Sequence, residues 1–223
     1  MANLKTGLDQ FLLSAQVMIN NALTDEVIRQ SLAAYGYTDE TLLAGKKLYE
    51  NVTDLQNIRH REYGEQIAAT SELKKSREKA KRQYMKTLKI ARVALKESAK
   101  ASKAIMLHGV RKRNFSGWLE QAQAFYANLI CDDEFIACLS AYGYTQAKLE
   151  EEFAIINKVI AKHLIQKKET GEAQEATVIR DKALDDLAAW ISDFKVVARV
   201  ALAENPQQLE KLGIVIKVNC KEF

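Results

Sequence analysis

The chain reads as all-α. It has a single proline, Pro206, and nine glycines among 223 residues, so long stretches contain nothing that interrupts a helix. Those stretches are rich in Ala, Leu, Lys, Glu and Gln, the residues that lose least on entering a helix. The third observation is a repeat. The pentapeptide AYGYT occurs at 34–38 and again at 141–145.

The offset of 107 residues holds at other landmarks. ARVAL at 91–95 returns at 198–202. Glu62, Gly64, Glu65, Ala69 and Thr70 return as Glu169, Gly171, Glu172, Ala176 and Thr177. Leu12, Ala15 and Gln16 match Leu119, Ala122 and Gln123, and Phe11 faces Trp118. A constant offset over separate landmarks predicts a tandem duplication, with repeat 1 over 1–107 and repeat 2 over 108–223. Two copies are too few for a solenoid. They predict a pseudo-two-fold pair whose long helices form a four-helix-bundle-like core, packed as one continuous unit. Two separate three-helix units are the alternative.

The first helix is expected from about Leu8 to Asn21, with Phe11, Leu12, Ala15 and Ile19 on one face. Thr24, Asp25 and Glu26 supply a cap and an acidic first turn for a short helix ending near Tyr35. AYGYT then reads as a corner. Gly36 takes the left-handed conformation past the helix end, with Tyr35 as C-cap, and a Schellman ending sets Tyr37 against Leu32. Thr38 caps the next helix, and Tyr37 staples onto Leu42. In the second copy the same roles fall to Leu139, Tyr142, Gly143, Tyr144, Thr145 and Leu149. The competing reading makes the tyrosine pairs ligand contacts.

The next helices are expected at 38–63 and 66–103, parted at Gly64. An unbroken helix over that span would be roughly 90 Å long at 1.5 Å per residue, too long for a compact unit. Their counterparts are 145–170 and 173–204, parted at Gly171. Glu65 and Glu172 then stand at helix N-termini, where negative charge is favoured. The sharper reading brings Glu62, Glu65, Glu169 and Glu172 together on a metal ion. The joint Leu107 to Trp118 carries Gly109, Gly117, Asn114 and Ser116. The final stretch from Leu212 to Phe223 alternates apolar and polar residues and reads as a short strand or extended tail.

Several function classes lack their signatures. No stretch reaches the roughly 18 consecutive apolar residues of a membrane span, and the N-terminal MANLKTGLDQFLLSAQVMIN lacks the apolar centre of a secretory signal. Cys131, Cys138 and Cys220 are odd in number without C-x-x-C spacing. They predict buried or incidental thiols in a reducing, cytoplasmic compartment. Three residues before His60, His108 and His163 stand Asn57, Ile105 and Ile160, so the Glu-x-x-His pairs of di-iron bundles are missing. There is no Walker loop, G-x-G-x-x-G, G-x-S-x-G or H-E-x-x-H. The expectation is a non-enzymatic protein with no cofactor.

The concentrated signal is charge. From Lys74 to Arg113 there are 15 basic residues and 2 acids, in a chain whose total is only +4. The matching stretch from Glu175 to Glu204 has 4 basic residues and 6 acids. The residues expected to bind a partner are Lys74, Lys75, Arg77, Lys81, Arg82, Lys89, Arg111, Lys112 and Arg113. Three readings compete. The basic helix pairs with its acidic twin and sets specificity. It meets an acidic protein or an anionic membrane surface. Or it neutralises nucleic-acid phosphates, although Tyr84 is the only aromatic residue from Lys74 to Lys103 and base stacking gains little from it. The leading expectation is a helical interaction or scaffold protein with an unknown, acidic protein partner, or a second copy of itself in a homo-oligomer. A nucleic-acid-binding protein using 74–113 is the alternative, and a carboxylate metal-binding bundle the second.

Overall fold

The computed structural model describes residues 7–215. Those residues form helices and no strand: α1 Leu8–Thr24, α2 Glu26–Ala33, α3 Asp39–Ala94, α4 Ala99–Ala104, α5 Phe115–Ile130, α6 Asp133–Ser140, α7 Gln146–Ala201 and α8 Pro206–Lys211. The starts of α1, α2, α3 and α4 recur 107 residues later as those of α5, α6, α7 and α8. The tail expected to be extended lies largely outside the described residues, as does Cys220.

The expected breaks at Gly64 and Gly171 are absent. α3 and α7 are each 56 residues long and run through both glycines. The expectation rested on compactness, whereas the local cost of a mid-helix glycine is only about 1 kcal/mol. Glu, Gln and Ala flank both positions and offset it. The real interruption comes later. Helix α3 stops at Ala94, short of the expected 103, because Ser98 opens α4 by accepting a hydrogen bond from Ala101 N at 3.1 Å. Pro206 does the same for α8 by sitting at its first turn.

The chain divides into two compact units, one built from residues up to Tyr63 and from Glu172 onward, the other from Gly64–Gly171. The boundary falls inside both long helices. The first unit therefore holds α1, α2, the N-terminal half of α3, the C-terminal half of α7 and α8. The second holds the C-terminal half of α3, α4, α5, α6 and the N-terminal half of α7.

Each unit has its own buried cluster. In the first unit Met18, Ile19, Ile28, Leu32 and Leu42 pack with Leu187, Ile191, Phe194, Leu202 and Leu209. In the second, Tyr84, Leu88, Ala91 and Ile105 pack with Phe125, Tyr126, Leu139, Leu149 and Ile156. Each large apolar side chain removed from water in this way contributes about 1.5–3 kcal/mol.

The corners are built alike. Tyr37 N donates to Leu32 O at 3.1 Å and Gly36 N to Ala33 O at 3.1 Å; Tyr144 N donates to Leu139 O at 3.2 Å and Gly143 N to Ser140 O at 2.9 Å. These are the two hydrogen bonds of a Schellman ending. Gly36 and Gly143 have φ of 86° and 74°, where a Cβ would be strained. Tyr37 and Tyr144 turn inward, while Tyr35 and Tyr142 are exposed. Thr145 Oγ1 accepts from Lys148 N at 3.4 Å, capping α7. The hydroxyl of Thr38 instead lies 3.5 Å from that of Thr41.

A capping aspartate in each unit is tied to a lysine from a six-residue helix of the same unit, α8 in the first and α4 in the second. Asp25 accepts from Val27 N and Ile28 N and meets Lys211 Nζ at 2.7 Å. Asp132 accepts from Glu134 N and meets Lys100 Nζ at 2.6 Å. The lysine hydrogen bond is the main cause that holds each carboxyl below its ordinary range.

The two cores differ at four positions related by the offset of 107. In the first unit these are Ile19, Gly45, Trp190 and Phe194, and the indole of Trp190 stacks on Phe194 with centroids 5.2 Å apart. In the second unit they are Tyr126, Glu152, Gln83 and Thr87. Glu152 is buried and satisfied: Gln83 Nε2 donates to Oε1 at 2.5 Å, while Thr87 Oγ1 and Tyr126 OH donate to Oε2 at 2.5 and 3.0 Å. Burial is the first cause that pushes the Tyr126 phenol up. One unit is apolar at all four positions and the other polar at all four.

Candidate functional site

The basic half of α3 lies wholly in the second unit. Its apolar stripe, Ala80, Tyr84, Leu88 and Ala91, is buried at the i, i+4, i+7 spacing of one helix face, and Leu95 just past its end is buried with it. That leaves the intervening positions for charge. Lys74, Lys75, Lys79, Lys81, Arg82, Lys86 and Lys89 are all exposed. Lys112 and Arg113, in the segment before α5, are exposed as well.

Two of the nine expected partner-binding residues are turned to internal work. Arg77 is half-buried, with its guanidinium 5.3 Å from the Phe115 ring centroid and 5.8 Å from that of Trp118, and its Nη2 donates to Arg113 O at 3.2 Å. Arg111 donates to Tyr84 OH at 2.8 Å and to the carbonyls of Met106 and His108, each at 2.7 Å. Arg92 Nε joins them by donating to Leu107 O at 2.6 Å. Gln121 completes the clamp: its Oε1 accepts from Lys112 N at 2.8 Å and its Nε2 donates to Val110 O at 3.3 Å. The carbonyls of Met106, Leu107, His108 and Arg113 thus find charged donors, the stronger kind of hydrogen bond, and that of Val110 a neutral amide.

Beside the exposed lysines lies an open groove of about 610 Å³. One wall is the α3 stripe Thr70, Lys74, Arg77, Glu78 and Lys81, and the other is His163 and Gln166 of α7. Leu73 and Phe115 supply its apolar surface. The imidazole of His163 packs on Phe115 with centroids 4.7 Å apart, and its Nδ1 is buried without a hydrogen-bond partner among the described residues. Lys74 and Lys81 have no acid within ion-pair distance among the described residues.

The four glutamates expected to share a metal are divided by the unit boundary. Glu62 and Glu172 belong to the first unit and Glu65 and Glu169 to the second. Within the second, carboxylate oxygens of Glu65 and Glu169 lie within 4.8 Å of each other. Glu65 is exposed, and Lys168 Nζ stands 3.8 Å from Glu169. The acidic stretch 175–204 lies in the first unit and the basic stretch 74–113 in the second. Cys131 and Cys138 are exposed free thiols. No helix among the described residues is long and apolar enough to cross a membrane.

Sequence reasoning missed His163, Gln166 and Phe115 as groove residues. Their only sequence signal was the apolar periodicity of α5 and α7, which says nothing about which half of α3 they face. No family profile, curated protein or solved structure matches the chain.

Proposed function

We propose that the chain is a tandem duplication whose halves are exchanged, and that it works as a non-enzymatic interaction protein for an acidic protein partner. In this reading the first half of each copy folds with the second half of the other, and the two units are pseudo-two-fold mates. The recurrence of every helix start after 107 residues supports the duplication. The four-position exchange between the cores supports the crossing. Were each copy to fold on itself, Glu152 would be buried against Trp190 and Phe194 and lose two of its three donors, Gln83 and Thr87, at a cost of several kcal/mol.

The observation that carries the functional reading is the uncompensated charge on the second unit. Lys74, Lys79, Lys81, Arg82, Lys86 and Lys89 are exposed, and none has an ion-pair partner among the described residues. Cations that satisfy no internal acid keep their field for an external one, which raises association rates and selects partners by sign. Lysine dominates and no exposed aromatic accompanies it on this stretch, so a carboxylate-rich protein fits better than stacked bases.

The test is a salt titration of binding to polyglutamate and, in parallel, to random-sequence single-stranded DNA. Polyglutamate binding at low salt that weakens on charge reversal of Lys74, Lys81, Arg82 and Lys89 is the expected result. DNA bound tightly while polyglutamate is ignored would transfer the face to nucleic acid, and no binding of either would remove the reading.

A further inference from the structure

We propose that the groove between α3 and α7 of the second unit is an anchor site for an acidic amphipathic helix, taking one aromatic or long apolar side chain between two carboxylates. This rests on the reading of the basic face as an acidic-partner surface and adds where, and with what sequence pattern, the partner docks.

The spacing of the cations comes first. Lys74 and Lys81 lie seven residues apart on one face of α3, about 10.5 Å along the axis at 1.5 Å per residue. A partner helix with acids at i and i+7 reproduces that separation. Its residue at i+3 or i+4 then falls midway on the same face.

The middle of the groove selects what that residue is. Phe115, beside the Arg77 guanidinium, offers apolar surface there, and Leu73 adds to it next to Lys74. Arg77 is committed to the Phe115 and Trp118 rings and to Arg113 O, so it lines the groove without presenting a free cation. Glu78 stands on the same stripe between the two lysines. Its carboxylate repels a third acid at the centre and favours an uncharged side chain. The pattern admitted is acid, apolar, acid, rather than a continuous polyacid.

The same location in the first unit lacks these features. Arg180 and Asp181 stand where Leu73 and Lys74 do, paired at 3.0 Å and mostly buried. Leu184, Ala188, Leu8 and Gln56 replace Arg77, Lys81, Phe115 and His163. The site is a property of the second unit rather than of the repeated scaffold.

The experiment uses the full chain and a labelled helical peptide with Glu at i and i+7 and Phe at i+4, read by fluorescence anisotropy at low salt. A second peptide carries Ser for Phe, and polyglutamate serves as a third probe. The expected result is at least tenfold tighter binding of the Phe peptide than of the Ser peptide. K74E/K81E should weaken it at least tenfold, and K86E/K89E, exposed on the same helix but off the groove, less than threefold. The imidazole signals of His163 should shift with the Phe peptide and stay fixed with polyglutamate. Equal binding of both peptides, with equal losses in the two charge-reversal variants, overturns the anchor site and leaves the basic face standing. No binding of any of the three probes to the unmutated chain overturns both. All substituted lysines are exposed, and circular dichroism checks that each variant keeps its helices.

Discussion

Gly45 on α3 and Trp190 on α7 are in such close contact that a Cβ on Gly45 would overlap the indole carbons Cζ2, Cη2 and Cε2. Glycine is an unfavourable helix residue, yet here it makes room for the largest side chain in the first unit's core. Gly45→Ala therefore sets two effects against each other. Propensity gains about 1 kcal/mol, while overpacking a buried site costs about 1–3 kcal/mol. The close backbone approach puts the substitution at the upper end, so net destabilisation is expected. Denaturant unfolding measures it, and a stabilised Gly45→Ala chain would contradict the packing.

At the equivalent place in the second unit, Glu152 depends on three donors. Tyr126→Phe removes one and leaves Gln83 and Thr87, so a loss of about 1.5–3 kcal/mol is expected, the range for a hydrogen bond to a charged group. Glu152→Leu takes the carboxylate acceptor from Gln83, Thr87 and Tyr126 and should cost more than Tyr126→Phe.

The raised pKa of Tyr126 has a pH consequence. A phenol whose folded value lies above its unfolded value of about 10 contributes stability that is complete below pH 10 and falls as the pH climbs beyond it. The unfolding free energy should decline above pH 10, and Tyr126→Phe should flatten that decline. An unchanged slope would show that the phenol is not held neutral.

The capping aspartates titrate at the other end. Asp25 and Asp132 are both held below the ordinary carboxylate value of 3.8, chiefly by Lys211 and Lys100. Depressed carboxylates stabilise above their unfolded pKa, and that stabilisation disappears as pH falls through the folded value. Stability should drop below about pH 4, and Asp25→Asn together with Asp132→Asn should shrink the acid-sensitive part. Equal acid sensitivity in the variant would assign the effect to other groups.

Gly64 and Gly171 test the unbroken helices. Each is exposed, and a Cβ added at either position would meet nothing within 4 Å. In a continuous helix, Gly64→Ala and Gly171→Ala should each stabilise by about 0.5–1 kcal/mol. A break with left-handed glycines would make the same changes destabilising.

The parts of the fold governed by local chemistry were readable in the sequence. Gly36 and Gly143 stop helices, Asp25 starts one, and the absence of other prolines rules out frequent interruption. The passage of α3 and α7 through Gly64 and Gly171 was not readable, because a helix's length is set by what its two halves pack on. The offset of 107 is silent on pairing, since a copy folded on itself and a copy exchanged with its twin have the same repeat. In the proposed exchange, the joint replacement of Ile19, Gly45, Trp190 and Phe194 by Tyr126, Glu152, Gln83 and Thr87 favours one pairing, and it emerges once the pairs are seen together. The basic run was plain as charge. That Arg77 and Arg111 face inward, and that Phe115 and His163 complete a groove, depends on that pairing.

The proposed exchange of halves gives the groove and the two cores one origin, and a double-mutant cycle tests that proposal most directly. Gly45→Ala and Trp190→Ala should be coupled by at least about 1 kcal/mol, because removing the indole removes the overlap. Gly45→Ala and Gln83→Ala, whose residues belong to different units, should be additive within about 0.5 kcal/mol. Additivity of Gly45 with Trp190, together with coupling of Gly45 to Gln83, would mean that each copy folds on itself and would contradict the account.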